Sequence, residues 1–302
     1  IKLFNSFNTI KISTSDINLE SIGEVVDKVS FLSHLRNLCK KKKNIDVMDN
    51  TELDINQLES LSKIYLPNES KALDFGQLIV TDGTNSKFAE KLNIPYKSIN
   101  YDQTSYIFNG EYDSMEKSAA QIFTDKGVFA VLPGNGNKKS IVATIHNKFI
   151  DDFKFESNTV NKNLLERQLL PYIKNLKNLK LIYKHSLNTA RLDNWFFKGT
   201  LFLGNSSQLL HPFGAQGFNF ALDCVKKLDT QWEYLSINDK STEHVINNIN
   251  KKRNELFNGI DLTSSLLMKN NILAAISSSF IAKTLNLSTT VKKLFIKRIL
   301  NT

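Results

Sequence analysis

Cysteine is scarce in this chain, which has only two in 302 residues. Cys39 and Cys224 lie far apart and in no spacing typical of metal ligands, so the sequence indicates neither a disulfide framework nor a metal site. This cysteine usage favours a reducing, cytoplasmic setting. Long apolar runs are also missing, because no stretch reaches the roughly 18 residues of a membrane-spanning helix. The sequence therefore predicts no disulfide scaffold and no membrane span.

Glycine is present at 12 positions, but none of them forms a Gly-x-Gly-x-x-Gly turn. The nearest candidate is the stretch Pro133-Gly134-Asn135-Gly136-Asn137. It is followed by two lysines and a strand-like run, residues 140–145, and not by a helix. The stretch is therefore interpreted as a hairpin, and the usual grip on the ADP half of a dinucleotide is absent from the sequence.

Positive charge exceeds negative charge, and the formal net charge is +9. The basic residues are dispersed and accompany no aromatic-basic motif, which argues against a nucleic-acid partner. The densest run, Lys40 to Lys43, follows apolar residues at helical spacing. It is interpreted as a solvated helix end, where cations complement the helix dipole.

The most informative stretch present is Gly204-Asn205-Ser206-Ser207-Gln208-Leu209-Leu210-His211-Pro212-Phe213-Gly214-Ala215-Gln216-Gly217-Phe218-Asn219. It follows the apolar run Thr200 to Leu203 and opens an amphipathic segment, which predicts a strand, a tight glycine-containing turn and a helix start. Small residues let the backbone approach a bound group, and the N–H groups of a helix start favour negative charge. The stretch is therefore interpreted as a cradle for an anion or a cofactor.

This stretch closely resembles the second flavin-binding motif of the class A flavoprotein aromatic hydroxylases. Asn205 stands where the family usually has Asp, and together with Gln208 this form looks most like the ubiquinone-biosynthesis branch that contains the 2-polyprenyl-6-methoxyphenol hydroxylases. A second motif, Leu78-Ile79-Val80-Thr81-Asp82-Gly83-Thr84-Asn85-Ser86, resembles the family's strand and Asp-Gly pair facing the flavin. Further similarity lies at residues 22–26, 101–103, 121–124 and 130–133, so the resemblance covers nearly the whole chain.

The resemblance implies FAD as the cofactor. The residues that it places at FAD are Asp82, Gly83, Gly204, Asn205, Pro212, Gly214, Ala215, Gln216, Gly217, Phe218 and Asn219. Three positions have a plainer alternative or depart from the family. Asp82 can simply cap the turn after its strand, His211 followed by Pro212 is interpreted as shaping a turn, and Ala215 stands where the family usually has glycine. No side chain is assigned a catalytic role.

The expected fold class is mixed α/β. It combines a Rossmann-like FAD-binding domain that is incomplete at its N-terminus, an inserted antiparallel sheet that in the family roofs the substrate cavity, and C-terminal helices. The expected boundaries are 1–92 and 191–235 for the FAD-binding domain, 93–190 for the sheet domain and 236–302 for the helices. Local patterns predict helices near 28–39, 161–176 and 241–302, and strands near 45–48 and ending at Thr81.

By comparison with the family, the chain is expected to start after the first βαβ unit, which takes about 30 residues. Two functions stay open. One is an FAD-dependent monooxygenase that hydroxylates a polyprenylated phenol in ubiquinone biosynthesis, with NAD(P)H as the family's usual electron donor. The other is a non-catalytic remnant or scaffold subunit that does not hold FAD alone. A quinone-synthesis assembly follows from the resemblance, and the basic, apolar segment 266–300 leaves peripheral contact with the inner membrane open beside packing on the flavin domain.

Overall fold

The computed structural model describes residues 2–4, 9–11, 13, 15, 20–21, 23–53, 63–65, 72–112, 118–134, 138–155, 160–170, 172–173, 175–197, 199–212, 216–231 and 240–268. Structural statements below refer to these residues.

The helices of the described chain, in order, are α1 (Lys28–Lys40), α2 (Lys87–Lys91), α3 (Ile150–Phe153), α4 (Lys162–Leu169), α5 (Gln216–Thr230) and α6 (Lys240–Met268). The strands are β1 (Lys2–Phe4), β2 (Thr9–Lys11), β3 (Lys63–Tyr65), β4 (Ala72–Asp74), β5 (Leu78–Val80), β6 (Tyr96–Glu111), β7 (Ala120–Phe123), β8 (Gly127–Pro133), β9 (Lys138–His146), β10 (Lys177–Leu192), β11 (Phe196–Phe197), β12 (Thr200–Phe202) and β13 (Gln208–Leu209).

The chain divides into two compact units. The sheet unit comprises residues 1–25, 100–187 and 261–302, and the parallel-strand unit comprises residues 26–99 and 188–260. The first 25 residues thus pack with the sheet unit, since β1 pairs in parallel with β7. The predicted segment 1–92 therefore spans both units. The functional domain boundaries themselves stay a prediction.

The sheet unit contains most of an eight-stranded sheet with the order β13-β10-β6-β9-β8-β7-β1-β2. Its central strands are antiparallel neighbours, with Phe108 opposite Ile141 and Phe129 opposite Ala143. Alternate side chains of these strands meet α3 and α4 in a fully buried aromatic core in which the Phe108 and Phe155 rings lie 4.9 Å apart. The predicted antiparallel sheet is confirmed.

The parallel-strand unit is built around a three-stranded sheet with the order β11-β12-β5. β12 and β5 are parallel, whereas β11 and β12 are antiparallel. The core of the unit joins this sheet to α2, α5 and α6, and Trp195, Leu201, Phe202 and Phe220 are buried in it. Together with the sheet unit, this arrangement confirms the predicted mixed α/β class.

Two local predictions are wrong. Residues 45–48 form no strand, because no neighbouring strand in the described ranges supplies hydrogen-bond partners for them. The helix predicted over 161–176 ends at Leu169, and Leu170 has an extended backbone. Pro171 follows in the sequence and disfavours helical geometry in the residue before it.

Other local predictions are confirmed. α1 covers the helix expected near 28–39 and begins at an N-cap, Asp27, whose carboxylate accepts a 2.8 Å hydrogen bond from the Ser30 backbone N–H. β8 and β9 pair antiparallel from Pro133 opposite Lys139, so the glycine-containing stretch between them closes a hairpin. The C-terminal helical prediction is met by α6 as far as Met268, and residues 269–302 lie outside the described residues. None of the described helices combines the length and apolarity that crossing a bilayer requires.

Candidate functional site

The candidate site lies where two parallel strands of the parallel-strand unit end at the same edge. Val80, the last residue of β5, is the register partner of Phe202, the last residue of β12. The Leu203 backbone N–H continues this pairing by donating to the Val80 carbonyl at 2.9 Å. The Asp82-Gly83 and Gly204-Asn205 pairs each begin two residues beyond their strand, so both predicted motifs meet at this edge. Ligands of open α/β sheets bind beyond the carboxyl ends of the strands.

Ser206 joins the two motif loops. Its side chain is fully buried, and its Oγ lies 2.8 Å from the Val80 carbonyl oxygen and 2.7 Å from the Leu203 carbonyl oxygen. The backbone carbonyl of Ser206 in turn accepts a 2.7 Å hydrogen bond from the hydroxyl of Tyr96, at the start of β6. These contacts fix the loop after β12 against the loop after β5.

Asp82 is exposed and accepts a 2.9 Å hydrogen bond from the Ser86 hydroxyl. Ser86 is also the N-cap of α2, and its oxygen accepts from the Ala89 backbone N–H at 3.2 Å. The Asp82 carboxylate therefore takes part in the cap of α2, as its plainer interpretation predicted, while one face of it remains exposed. Burial raises the pKa of Tyr96, and the nearby Asp82 charge adds to this rise.

The glycines of the two motifs leave an open face. Gly83 and Gly204 have φ angles of 91° and 63°, which side-chain-bearing residues rarely adopt. No atom lies within 4 Å of where a Cβ would stand at Gly83, Gly204 or Gly217. The backbone at these positions is therefore accessible to a bound group, and this openness fits a flavin.

Helix α5 begins at the same loop. Gln216 at its first position is buried, and Gly217, Phe218 and Asn219 in its first turn are exposed. No acidic side chain lies in that turn, so its positive dipole end is not neutralised from within the helix. Pro212, before the helix, is exposed as well. Gly214 and Ala215 lie outside the described residues, so the cradle predicted there stays a prediction.

The strand, turn and helix order predicted for this stretch is present, but the connection is longer than a tight turn. A 3-10 turn at Gly204–Ser206 follows β12, and the short strand β13 pairs with β10 before α5 begins. His211 is buried, which agrees with its interpretation as a residue that shapes the turn.

Arg191 was expected to contact the cofactor, the sheet or a surface acid. It instead contacts α6, where its Nη1 donates a 2.5 Å hydrogen bond to Asn254 Oδ1 and its guanidinium lies 5.0 Å from the centre of the Phe257 ring.

Sequence reasoning missed three residues that organise the site: Ser86, Tyr96 and Ser206. Ser86 follows Asp82 at a spacing typical of a capping turn, so that signal was available. Ser206 was within the quoted motif but had no distinguishing local signal. Tyr96 reaches Ser206 across 110 residues of sequence, and no local pattern reports such a contact.

The fold is that of flavin-dependent monooxygenases and halogenases. The chain superposes on the PqsL protein of Pseudomonas aeruginosa, a probable FAD-dependent monooxygenase, with a TM-score of 0.67 and 13% identity, over 88% of this chain and 76% of that one. It superposes on a flavin-dependent brominase with a TM-score of 0.71 and 11% identity, over 99% of this chain and 75% of the brominase.

Curated sequences place the resemblance more narrowly. The chain is 22% identical over 152 residues to the ubiquinone hydroxylase UbiL of Rhodospirillum rubrum, and 28% identical over 138 residues to the mitochondrial ubiquinone biosynthesis monooxygenase COQ6 of Caenorhabditis elegans. These matches cover 50% and 43% of this chain, and they span about a third of each relative, 35% and 30%. No protein-family model matches. The resemblance to class A hydroxylases of ubiquinone biosynthesis is thus confirmed.

Proposed function

We propose that this chain is the flavin-site portion of an FAD-dependent monooxygenase that hydroxylates a polyprenylated phenol in ubiquinone biosynthesis. The observation that carries the proposal is the convergence of the Asp82-Gly83 and Gly204-Asn205 loops beyond the parallel strands β5 and β12. The similarity to UbiL and COQ6, whose names describe a ubiquinone hydroxylase and a ubiquinone biosynthesis monooxygenase, supports the substrate class.

The residues of the site have separate roles in this proposal. The carboxylate of Asp82 and the amide of Asn205 are exposed polar groups that hydrogen-bond the sugar-alcohol chain of the cofactor. The first backbone N–H groups of α5 stabilise negative charge on the flavin ring, because a helix start carries a partial positive charge. FAD, when bound, supplies the oxygen-transfer chemistry. The buried Ser206 and Tyr96 hold the two loops in register for binding.

Several finer features belong to the same proposal. NAD(P)H is the electron donor, and a quinone-synthesis assembly is the setting, with the protein in the cytoplasm and in peripheral contact with the inner membrane. The long prenyl tail of such a substrate favours a membrane-adjacent location, because each buried methylene contributes about 0.8 kcal/mol to partition from water.

Flavin binding tests the proposal. The βαβ segment of a class A hydroxylase, carrying its Gly-x-Gly-x-x-Gly turn, is fused to this chain through a flexible linker, and FAD binding is followed by absorbance and by fluorescence quenching. We expect retention of FAD by the fusion. Asp82→Ala and Asn205→Ala should each weaken FAD binding about tenfold, since a lost hydrogen bond to a ligand costs about 1–1.5 kcal/mol.

The matched control is Asp229→Ala, an exposed carboxylate at the opposite end of α5, which should leave FAD binding unchanged. A fusion that is folded by circular dichroism yet binds no FAD would overturn the proposal and support a non-catalytic remnant. Equal loss of affinity in the control would also overturn the assigned roles of Asp82 and Asn205.

A further inference from the structure

Helix α1 has an apolar surface that nothing in the described chain covers. It is 13 residues long, and none of its residues is buried. Val29, Leu32, Leu35 and Leu38 recur at every third position and are between 41% and 76% exposed. Residues three apart are neighbours on a helix surface, so the four side chains form a continuous stripe. A stripe of this kind on a stable helix normally faces a packing partner.

Helix α5 carries a second uncovered stripe. Phe220, Cys224 and Leu228 face the core of the parallel-strand unit and are buried. Phe218, Leu222 and Val225, spaced by four and three residues, are at least half exposed. A helix that is apolar on opposite faces is typical of an element covered on both sides, and α5 is covered on one.

The third uncovered element is the edge of β5. β5 is the last strand of its three-stranded sheet, with β12 parallel to it on one side and no described strand on the other. Ile79 in the middle of β5 is 41% exposed. Parallel sheets are otherwise covered on both faces, and a free strand edge is a template for pairing with another strand.

These elements belong to the same unit and adjoin one another. The Phe31 ring of α1 packs edge-on against the Phe218 ring of α5, with centroids 6.3 Å apart. Asp49 pairs with Arg36 and with Lys40, the latter at 2.8 Å, and these cations lower the pKa of Asp49 to about 2. The exposed apolar residues Ile45 and Met48 are thereby held beside α1. The stripes of α1 and α5 and the edge of β5 are called the docking surface below.

We propose that the docking surface binds a βαβ element, whose strand adds parallel to β5 and whose helix covers the stripes of α1 and α5. The inference rests on the proposed function, because that element would bring the missing dinucleotide turn to the flavin site. A parallel neighbour requires a crossover helix, so one βαβ element supplies both the strand and the helix that the surface lacks. The superposition on PqsL leaves about a quarter of that chain without a counterpart here, which is room for such an element.

The same element explains the wrong strand prediction at residues 45–48. This apolar segment has the composition of a buried strand but no partner in the described ranges. A βαβ element carries two parallel strands, and its second strand can pair with residues 45–48 while its first pairs with β5. Binding of the element therefore should convert residues 45–48 to a strand.

The test measures docking without flavin. The separate βαβ segment of a class A hydroxylase is added to this chain in FAD-free buffer, and complex formation is followed by sedimentation velocity. We expect a one-to-one complex. Leu32→Asp and Leu222→Asp should each weaken it at least tenfold, and because both leucines are about half exposed, the fold should be retained by circular dichroism. The control Leu170→Asp changes a leucine of similar exposure in the sheet unit and should leave the complex unchanged.

Failure of the segment to bind the unmodified chain, or equal binding by Leu32→Asp and Leu222→Asp, would overturn the proposal. So would a homodimer of the chain alone that Leu222→Asp dissociates, because a second copy would then occupy the surface. Docking is distinguishable from the proposed function. A complex that docks but retains no FAD supports the surface and contradicts the monooxygenase, whereas a covalent fusion that retains FAD without docking of the separate segment contradicts only the surface.

Discussion

The hydroxyl oxygen of Ser206 lies 2.8 Å from the carbonyl oxygen of Val80, 126 residues away in the sequence. This contact joins the loop that carries Gly204-Asn205 to the strand that precedes Asp82-Gly83. The same carbonyl accepts from the Leu203 N–H, so Val80 terminates the β5 and β12 pairing and anchors both motifs at once. The geometry of the site thus depends on a small buried hydroxyl that contacts no exposed group.

Ser206→Ala should therefore destabilise the parallel-strand unit by about 1–3 kcal/mol, because burial leaves no water to replace the lost donor. Urea unfolding measures the loss. Ser207→Ala is the matched control, since the Ser207 hydroxyl bonds only to the Gly204 carbonyl within its own loop, at 2.9 Å. A cost for Ser207→Ala as large as that for Ser206→Ala would contradict a special role for the contact with Val80.

The two cysteines should differ sharply in reactivity. Burial raises the pKa of the Cys224 thiol to about 12, with a smaller contribution from Asp223, so at pH 8 the reactive thiolate is almost absent there. Cys39 on α1 is half-buried. Iodoacetamide should modify one thiol in native buffer and two in urea, and Cys39→Ser should abolish the native reaction. Rapid native labelling of Cys39→Ser would show that Cys224 is accessible.

The Cys224 shift also predicts a pH dependence of stability. The thiol ionises near pH 9 in the unfolded chain and near pH 12 in the folded one, so its contribution is fully present below pH 9. Between these values the unfolded chain binds fewer protons, and the free energy of unfolding should fall with rising pH by up to about 1.4 kcal/mol per pH unit. Cys224→Ala should lack this part of the slope, and identical slopes for the two proteins would contradict it.

Arg253 on α6 is a buried cation without an ion pair in the described chain. It is 2% exposed, its Nη2 donates to the Leu192 carbonyl at 2.5 Å, and its guanidinium lies 5.7 Å from the centre of the Trp195 ring. Burial, and secondarily the charge of Arg191, lowers its pKa to about 10. Desolvation of the guanidinium therefore offsets part of what its packing contributes.

Arg253→Ala should cost about 2–4 kcal/mol, because it leaves a cavity beside Trp195. Arg253→Met keeps most of the volume and removes the desolvated charge, so its cost should be within about 1 kcal/mol of zero. Thermal unfolding of both variants, with the exposed Lys251→Ala as a control on the same helix, measures the difference. Equal destabilisation by Met and Ala would show that the hydrogen bond to Leu192, and not packing, holds Arg253 in place.

Local sequence predicted the site only in part. The strand ends at Val80 and Phe202 and the glycines after them carry strong local signals, because only glycine readily adopts the φ angles of Gly83 and Gly204. Tyr96 was missed, because its role consists of one contact with a residue distant in the sequence. The prediction at 45–48 was wrong for a related reason. A strand requires a neighbour, and an apolar segment does not report whether that neighbour is present.

Gly127, at the start of β8, should be the least replaceable of the glycines whose surroundings the structure describes. Its φ angle is 153°, and a Cβ there would stand 2.0 Å from the Thr144 backbone oxygen and 2.9 Å from the Ile145 Cα. Both atoms belong to the backbone of β9, which is held in register on both sides by β6 and β8. The clash therefore cannot be relieved by a side-chain rotation, and the strand pairing itself must shift.

Gly127→Ala should destabilise the sheet unit by about 3 kcal/mol or more, the cost of overpacking combined with backbone strain. Gly76→Ala is the matched control, because no atom lies within 4 Å of its Cβ position and its backbone is not in the left-handed region. Thermal unfolding of both variants, together with hydrogen exchange of the β8 and β9 amides, measures the effect. Protection of those amides in Gly127→Ala as strong as in the unmodified chain would mean that β9 accommodates a methyl group without shifting.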